Sequence, residues 1–328
     1  MEFNSISSIF SISNSGEFEN KCLEVFSFQF SQNSVYKLYC ELLGKTPKTV
    51  SHSSEIPFLP IEFFKSKKIV SSTNSIEAIF ESSGTTGSVT SKHYISSLAI
   101  YKESYTKAFT HFFGPVQEYC ILALLPAYLE RKGSSLVYMV DDLVKQSQHP
   151  ESGFYLYDIE ELHAKLIKLE EAKTKTLLIG VSFALLDLAE QFPISLKHTL
   201  LMETGGMKGR RKELIREELH KQLINAFEVD KIYSEYGMTE LLSQAYSMGN
   251  GTFVCPPWMK VTTRDTEDPL SSQANGKTGG INIIDLANVY SCSFIATQDL
   301  GKVYANGSFE VLGRFDHSDV RGCNLMAL

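Results

Sequence analysis

Four short apolar runs, at residues 119–125, 176–181, 198–203 and 231–233, punctuate the middle of this 328-residue chain, and helix-length stretches separate them. The predicted helices cover 135–145, 158–171, 182–191 and 209–227. Runs that are apolar throughout suit strands covered on both faces, and strand–helix alternation is how parallel sheets are wound. The chain therefore reads as an α/β protein, with parallel-sheet layers and flanking helices. From about Leu241 the texture changes. Pieces at 280–284, 291–296, 301–304 and 308–312, set between Gly, Asn and Asp turns, predict a small C-terminal antiparallel β region. Upstream, 17–44 reads as amphipathic helices broken near 31–34, 56–64 as a Pro-punctuated packing arm, and 94–113 as a helix.

Composition narrows the partners. The formal net charge is −7, from 31 Lys and Arg against 38 Asp and Glu, with no block of basic residues. That argues against nucleic acid or an anionic membrane as the main partner. The longest apolar run, 119–129, is well short of the roughly 20 residues a spanning helix needs, so no membrane span is expected. Residues 1–16 are rich in Ser and Asn and lack the basic and apolar regions of a secretory signal. Cysteines at 22, 40, 120, 255, 292 and 323 form no CxxC pair, which suits reduced thiols and a cytoplasmic protein. Cys22, Cys40, Cys120 and Cys292 lie in apolar surroundings and read as core residues.

Four motifs carry chemistry. The run 76–80 leads into Ser82, Ser83, Gly84, Thr85, Thr86 and Gly87. Such a loop offers closely spaced N–H groups and hydroxyls, and its glycines let the backbone approach a phosphate chain. It is no Walker P-loop, because no Gly-Lys-Ser/Thr follows. The second motif is Tyr233-Ser234-Glu235-Tyr236-Gly237-Met238-Thr239-Glu240, predicted to form the loop after the strand at 231–233. Open α/β sheets place their sites at such strand ends. There an aromatic ring such as Tyr236 can lie against a base, Thr239 can bond a phosphate, and Glu240 can hold Mg²⁺. Asp299-Leu300-Gly301, read as an Asp beside a turn, and Gly313-Arg314-Phe315-Asp316, with Arg on a hairpin, could grip two ribose hydroxyls.

In this order the motifs resemble those of the adenylate-forming enzymes: acyl-CoA ligases, adenylation domains and luciferase-type enzymes. The resemblance spans roughly 76–323 and implies ATP (carried to AMP) and Mg²⁺ as cofactors. It implies that Ser82 to Gly87 wrap the phosphates, and that Tyr236, Gly237, Met238, Thr239 and Glu240 bind the acyl-adenylate and the metal. Asp299 and Arg314 hold the ribose, and Gly205 and Gly206 border the adenine. The organisation expected is an N-terminal helical arm over 1–75, a nucleotide-binding core over 76–240, and a β-rich subdomain over 241–328.

The chain departs from that pattern in three places. Gln298 stands where the family has Gly, and Lys92 is displaced from the usual Gly-x-Pro-Lys. The chain ends at Leu328, just past the hinge motif, so the family's mobile C-terminal domain and its lysine are expected to be absent. That shortness, with Gly205-Gly206-Met207-Lys208, the stretch 124–131 and Val320-Arg321-Gly322-Cys323, is similar to the fatty acyl-protein synthetases of bacterial luciferase operons. Those enzymes activate a fatty acid and pass the acyl group to a cysteine of their own.

The reaction implied is adenylation of a carboxylic acid followed by attack of a thiol. Cys323, coenzyme A and the phosphopantetheine of an acyl carrier protein are the candidate thiols, and a reductase is a further candidate partner. Arg321 beside Cys323 favours the thiolate. Lys208 is the candidate to replace the family's lysine, against a plain solvated residue at a helix start. His93 and His111 read as packed or surface histidines. Two other readings stay open: a relative that binds nucleotide without turnover, and a subunit whose site a partner chain completes.

Overall fold

The computed structural model describes residues 3, 6–72, 75–82, 89–126, 133–205 and 214–315. After a single turn of helix at Ile6–Ile9 come two longer helices, α1 (Ser15–Gln32) and α2 (Ser34–Leu42), broken where the sequence predicts. Asn33 makes the break. Its N–H donates to Gln29 O at 2.9 Å, ending α1, while its side chain accepts from Tyr36 N at 3.0 Å, capping α2.

An antiparallel hairpin, β1 (Ala78–Glu81) and β2 (Lys92–Ile95), flanks the Ser/Gly/Thr loop. The sequence predicts helix from 94, whereas helix α3 (Leu98–Phe113) begins after Ser97. The reason is period. Lys92 is exposed, His93 buried, Tyr94 half-buried and Ile95 buried, which is the alternation of a strand.

The α/β order then follows: β3 (Cys120–Leu124), α4 (Ser135–Ser147), a two-residue strand at Gly153–Phe154, α5 (Ile159–Glu171), β4 (Thr176–Gly180), α6 (Ser182–Gln191), β5 (Thr199–Thr204), α7 (Arg216–Phe227) and β6 (Tyr233–Tyr236). Strands β3 to β6 pair in parallel, and β3 and β4 are buried along their whole length. Two boundaries move. The last parallel strand is Tyr233–Tyr236 rather than 231–233, because its polar residues are paired in the ladder: Ser234 faces Glu203 and Glu235 faces Thr204. Helix α7 starts at Arg216, behind an extended Ile215, and residues 209–213 of the predicted helix lie outside the described residues.

Strands β7 (Ala245–Ser247), β8 (Thr252–Val254), β9 (Met259–Arg264), β10 (Thr278–Asp285), β11 (Phe294–Val303) and β12 (Phe309–Arg314) make the antiparallel region. It is not a separate sheet. β7 pairs with β6, so twelve strands run in one sheet ordered β9-β10-β11-β12-β8-β7-β6-β5-β4-β3 and Gly153–Phe154, with Leu59–Pro60 alongside β11. The pieces predicted at 291–296 and 301–304 are one strand, β11, whose pairing with β12 slips between Leu300 and Gly301. Leu162, Leu166, Leu185, Leu219, Leu223 and Phe227 pack α5, α6 and α7 in one core, and α1, α3 and α4 belong to the other. No helix among the described residues is long and apolar enough to cross a membrane.

Candidate active site

The carboxyl ends of β5 and β6 are neighbours, and the second motif starts on β6. Tyr236 is the last residue of that strand, not a loop residue, and its ring is buried against Phe253 and Phe309, with centroids 5.8 and 5.5 Å away. Its hydroxyl donates to Asp299 Oδ2 at 2.7 Å. Asp299 lies inside β11 rather than beside a turn, directly opposite Arg314 on β12. Arg314 Nε donates to the other oxygen, Oδ1, at 3.0 Å. Thus the fifteen-residue spacing of Asp299 and Arg314 is the span of an antiparallel pair, and Tyr236 joins them. The Asp299 side chain is 8% exposed and that of Arg314 72%, so the guanidinium reaches from the sheet into solvent. Burial, and then Asp299, push the Tyr236 phenol well above its ordinary pKa, which keeps it a donor.

Gly237, Met238 and Thr239 are half-buried and lead to Glu240, which is buried. A Cβ at Gly237 would sit 2.5 Å from Glu235 Oε1, so no larger residue fits the turn as it stands. Burial raises the Glu240 pKa, opposed by a hydrogen bond from Ser91 and by the charges of Arg314 and Lys65. Ser91 also closes the neck of the Ser/Gly/Thr loop: its N–H donates to Ser82 Oγ at 2.9 Å, and its carbonyl accepts from Ser82 N at 3.1 Å. One buried serine therefore joins the base of the first motif to the carboxylate of the second. Ser83, Gly84, Thr85, Thr86, Gly87, Gly206, Lys208 and Cys323 lie outside the described residues. Gly205, at the end of β5, has φ +64°, and its carbonyl accepts from Ser182 Oγ at 2.8 Å.

The departures from the adenylate-forming pattern have structural consequences. Gln298 Nε2 donates to Glu62 Oε1 at 2.5 Å, tying β11 to the N-terminal arm. Lys92 pairs with Glu81 across the hairpin at 3.5 Å.

Several residues around the site escape the sequence reading. Glu235 is buried and accepts from Thr204 Oγ1 at 2.6 Å; burial pushes its pKa up to about 7 despite that bond, helped by the charge of Glu203. His93 has no exposed surface, its Nδ1 lies 2.8 Å from Thr239 O and its Nε2 3.0 Å from Asn288 Oδ1. Burial pulls its pKa down to about 4, so the neutral ring has one N–H for two oxygens. His93 is packed, as the sequence suggests, but packed against the site. Asp285, wholly buried, accepts from Leu242 N at 2.7 Å, Ser243 N at 3.0 Å and Ser243 Oγ at 2.6 Å. Asp285 and Asn288 read from the sequence as turn residues between the pieces at 280–284 and 291–296, which does not mark them as buried. For His93, the signal was its place one residue beyond Lys92 at the exit of the loop.

Could the site hold a divalent cation? Among the described residues no group of three or more His, Cys, Asp or Glu side chains makes a metal cage. Mg²⁺ typically binds through one or two carboxylates together with substrate phosphates, and Glu240 beside the neck of the Ser/Gly/Thr loop fits that donor set.

The family model for the acyl-protein synthetase, LuxE, matches residues 9–327 of this chain. The chain belongs to the LuxE acyl-protein synthetase family. Among solved structures, this LuxE-family chain is similar to ATP-bound MatB from Rhodopseudomonas palustris, with TM-score 0.56 and 18% identity over 74% of this chain and 49% of that one. It also resembles 2-hydroxyisobutyryl-CoA ligase in complex with 2-HIB-AMP and CoA, with TM-score 0.65 and 13% identity over 93% and 77% of the two chains. The postadenylation state of that ligase gives TM-score 0.66 and 12% identity over 92% and 68%. At these identities the likeness is one of fold, which this chain shares with adenylate-forming ligases. The chain spans about half the length of the MatB structures it matches. No curated protein sequence matches it.

Proposed function

We propose that this protein is an AMP-forming ligase that activates a carboxylic acid, of the fatty-acid class, as an acyl-adenylate and passes the acyl group to a thiol. The observation that carries the reading is the convergence of Tyr236 and Arg314 on the Asp299 carboxylate, one turn of chain away from Glu240 and the neck of the Ser/Gly/Thr loop. In the first half-reaction a substrate carboxylate oxygen attacks the α-phosphorus of ATP, the P–O bond to the β-phosphate breaks, and pyrophosphate leaves. In the second a thiolate attacks the acyl carbon, the C–O bond to AMP breaks, and a thioester forms.

The protein's part is placement and charge. Asp299 and Arg314 hold the ribose, Gly205 and Gly206 border the base, and Ser82 to Gly87 offer N–H groups and hydroxyls to the phosphates. Thr239 bonds phosphate, and Glu240 holds Mg²⁺, which when bound neutralises phosphate charge. Lys208 adds a positive charge at the adenylation step. The thiol is Cys323 of this chain, with coenzyme A or a carrier protein as the competing acceptors. The five described cysteines are all unpaired, which fits a reducing, cytoplasmic setting.

The reading is tested by pyrophosphate release from the purified chain with ATP, Mg²⁺ and a panel of short to long carboxylic acids. Release that depends on a long-chain acid supports it. Binding of ATP without release across the whole panel overturns it.

A further inference from the structure

The loop that carries Thr239 and Glu240 is held by residues belonging to none of the four motifs. Its backbone carbonyls are the handles. Thr239 O faces His93 Nδ1 at 2.8 Å, and Glu240 O accepts from Asn288 Nδ2 at 2.7 Å. Asn288 Nδ2 also donates to Cys292 O at 3.0 Å, which fixes the amide orientation and turns Oδ1 towards His93 Nε2 at 3.0 Å. Both side chains are fully buried. Each belongs to a different element: His93 to β2, leaving the Ser/Gly/Thr loop, and Asn288 to the turn after β10.

That turn is itself gripped from the N-terminal arm. Gln29 of α1, buried, donates through Nε2 to Asn288 O at 3.1 Å, Val289 O at 2.9 Å and Ser293 Oγ at 3.1 Å, and its Oε1 accepts from Ser293 N at 3.0 Å. A continuous run of buried hydrogen bonds thus connects α1, the turn, the exit strand of the phosphate loop and the Glu240 loop.

We propose that His93 and Asn288 are positioning residues for adenylation. They set the Thr239–Glu240 backbone against β2, the strand that leaves the Ser/Gly/Thr loop, and Gln29 makes the N-terminal helix part of that setting. Such a hub gives the loop's carbonyls donors that the loop itself lacks: a buried backbone carbonyl deprived of its donor is left with an unmet hydrogen bond. The proposal rests on the adenylate-forming reading for its catalytic consequence. The positioning itself has a readout of its own.

The experiment compares wild type with His93→Ala, Asn288→Ala and the conservative His93→Gln, by hydrogen exchange and by activity. In the two Ala variants, exchange of peptides covering 236–244 is expected to speed up about tenfold, while peptides from β3 and β4 keep their protection. Pyrophosphate release at saturating ATP is expected to fall about tenfold, with AMP affinity within about twofold of wild type, because Asp299 and Arg314 are untouched. His93→Gln, which keeps an N–H donor, should recover part of both. Wild-type exchange over 236–244 in a folded His93→Ala protein overturns the proposal. So does exchange that rises uniformly across the sheet, or AMP affinity that falls as far as turnover. If wild type releases no pyrophosphate with any acid, the functional reading fails, and the exchange comparison still decides the positioning.

Discussion

Enclosure raises the Glu240 pKa, and the Ser91 hydroxyl and the charges of Arg314 and Lys65 oppose that rise. Replacing Glu240 by Gln keeps the shape and removes the charge that a hard cation needs. Glu240→Gln is expected to lower pyrophosphate release by about ten- to a hundredfold, the worth of one charged interaction, with partial recovery at high Mg²⁺. An Mg²⁺ titration that overlays the wild type's would remove Glu240 from the metal's binding set. Two other buried groups make a prediction about stability. His93, lowered from 6.5 to about 4, binds its proton in the unfolded chain but not in the folded one between those values, so its contribution rises with pH there. Glu235, raised from 4.5 to about 7, does the opposite: the folded state holds the extra proton, and stability falls as pH rises from 4.5 to 7. Between pH 4.5 and 6.5 the two slopes, each about 1.4 kcal/mol per pH unit at most, oppose one another. Glu235→Gln removes the falling contribution of Glu235 and leaves that of His93 in place. Its stability relative to wild type, followed by urea unfolding, should therefore climb from pH 4.5 to 6.5, and a pH-independent difference would show that Glu235 titrates normally in the folded protein.

At the scale of elements, the β11–β12 pair is the part of the site with the least room. A Cβ on Gly301 would lie 2.3 Å from the Glu310 carbonyl oxygen and 2.7 Å from Ile281 Cδ1, at the slip in register that separates Gly301 from Asp299. Overpacking of this kind costs about 1–3 kcal/mol, so Gly301→Ala should lower the unfolding midpoint and weaken AMP binding by shifting Asp299 off Arg314. AMP affinity equal to wild type in a destabilised variant would separate the strand pairing from the site. The same pair shows what a local pattern hides. Asp299 reads as a turn residue because Asp-Leu-Gly commonly is one, yet β11 runs from Phe294 through Val303 and the Gly at 301 serves a close backbone approach inside the strand. Likewise Ser234 and Glu235 conceal the end of β6, because polar residues interrupt an apolar run. Their ladder partners on β5, including the Thr204 hydroxyl, are invisible from neighbouring sequence.

At the scale of the whole molecule, the proposed acyl transfer to Cys323 belongs to the chemistry of the entire chain. Incubation with ATP, Mg²⁺ and a long-chain acid, followed by intact mass and peptide mapping, should find a hydroxylamine-sensitive acyl group on Cys323. A Cys323→Ser variant that passes acyl groups to an added thiol at the full wild-type rate would assign the acceptor role elsewhere. The sequence by itself determined the α/β class, a helix break near residues 31–34 and the order of the motifs. Those follow from apolar periodicity, capping and short contiguous strings, each a property of neighbouring residues. The tertiary structure alone decided that the antiparallel strands extend the parallel sheet and that Asp299 faces Arg314 with the Tyr236 hydroxyl on the same carboxylate. It alone decided, too, that His93, Asn288 and Gln29 meet behind the Glu240 loop. Asn288 and Gln29 stand 259 positions apart in the chain. Contacts over such distances depend on which strands become neighbours, and a buried hydrogen bond between them leaves no periodic trace in either segment.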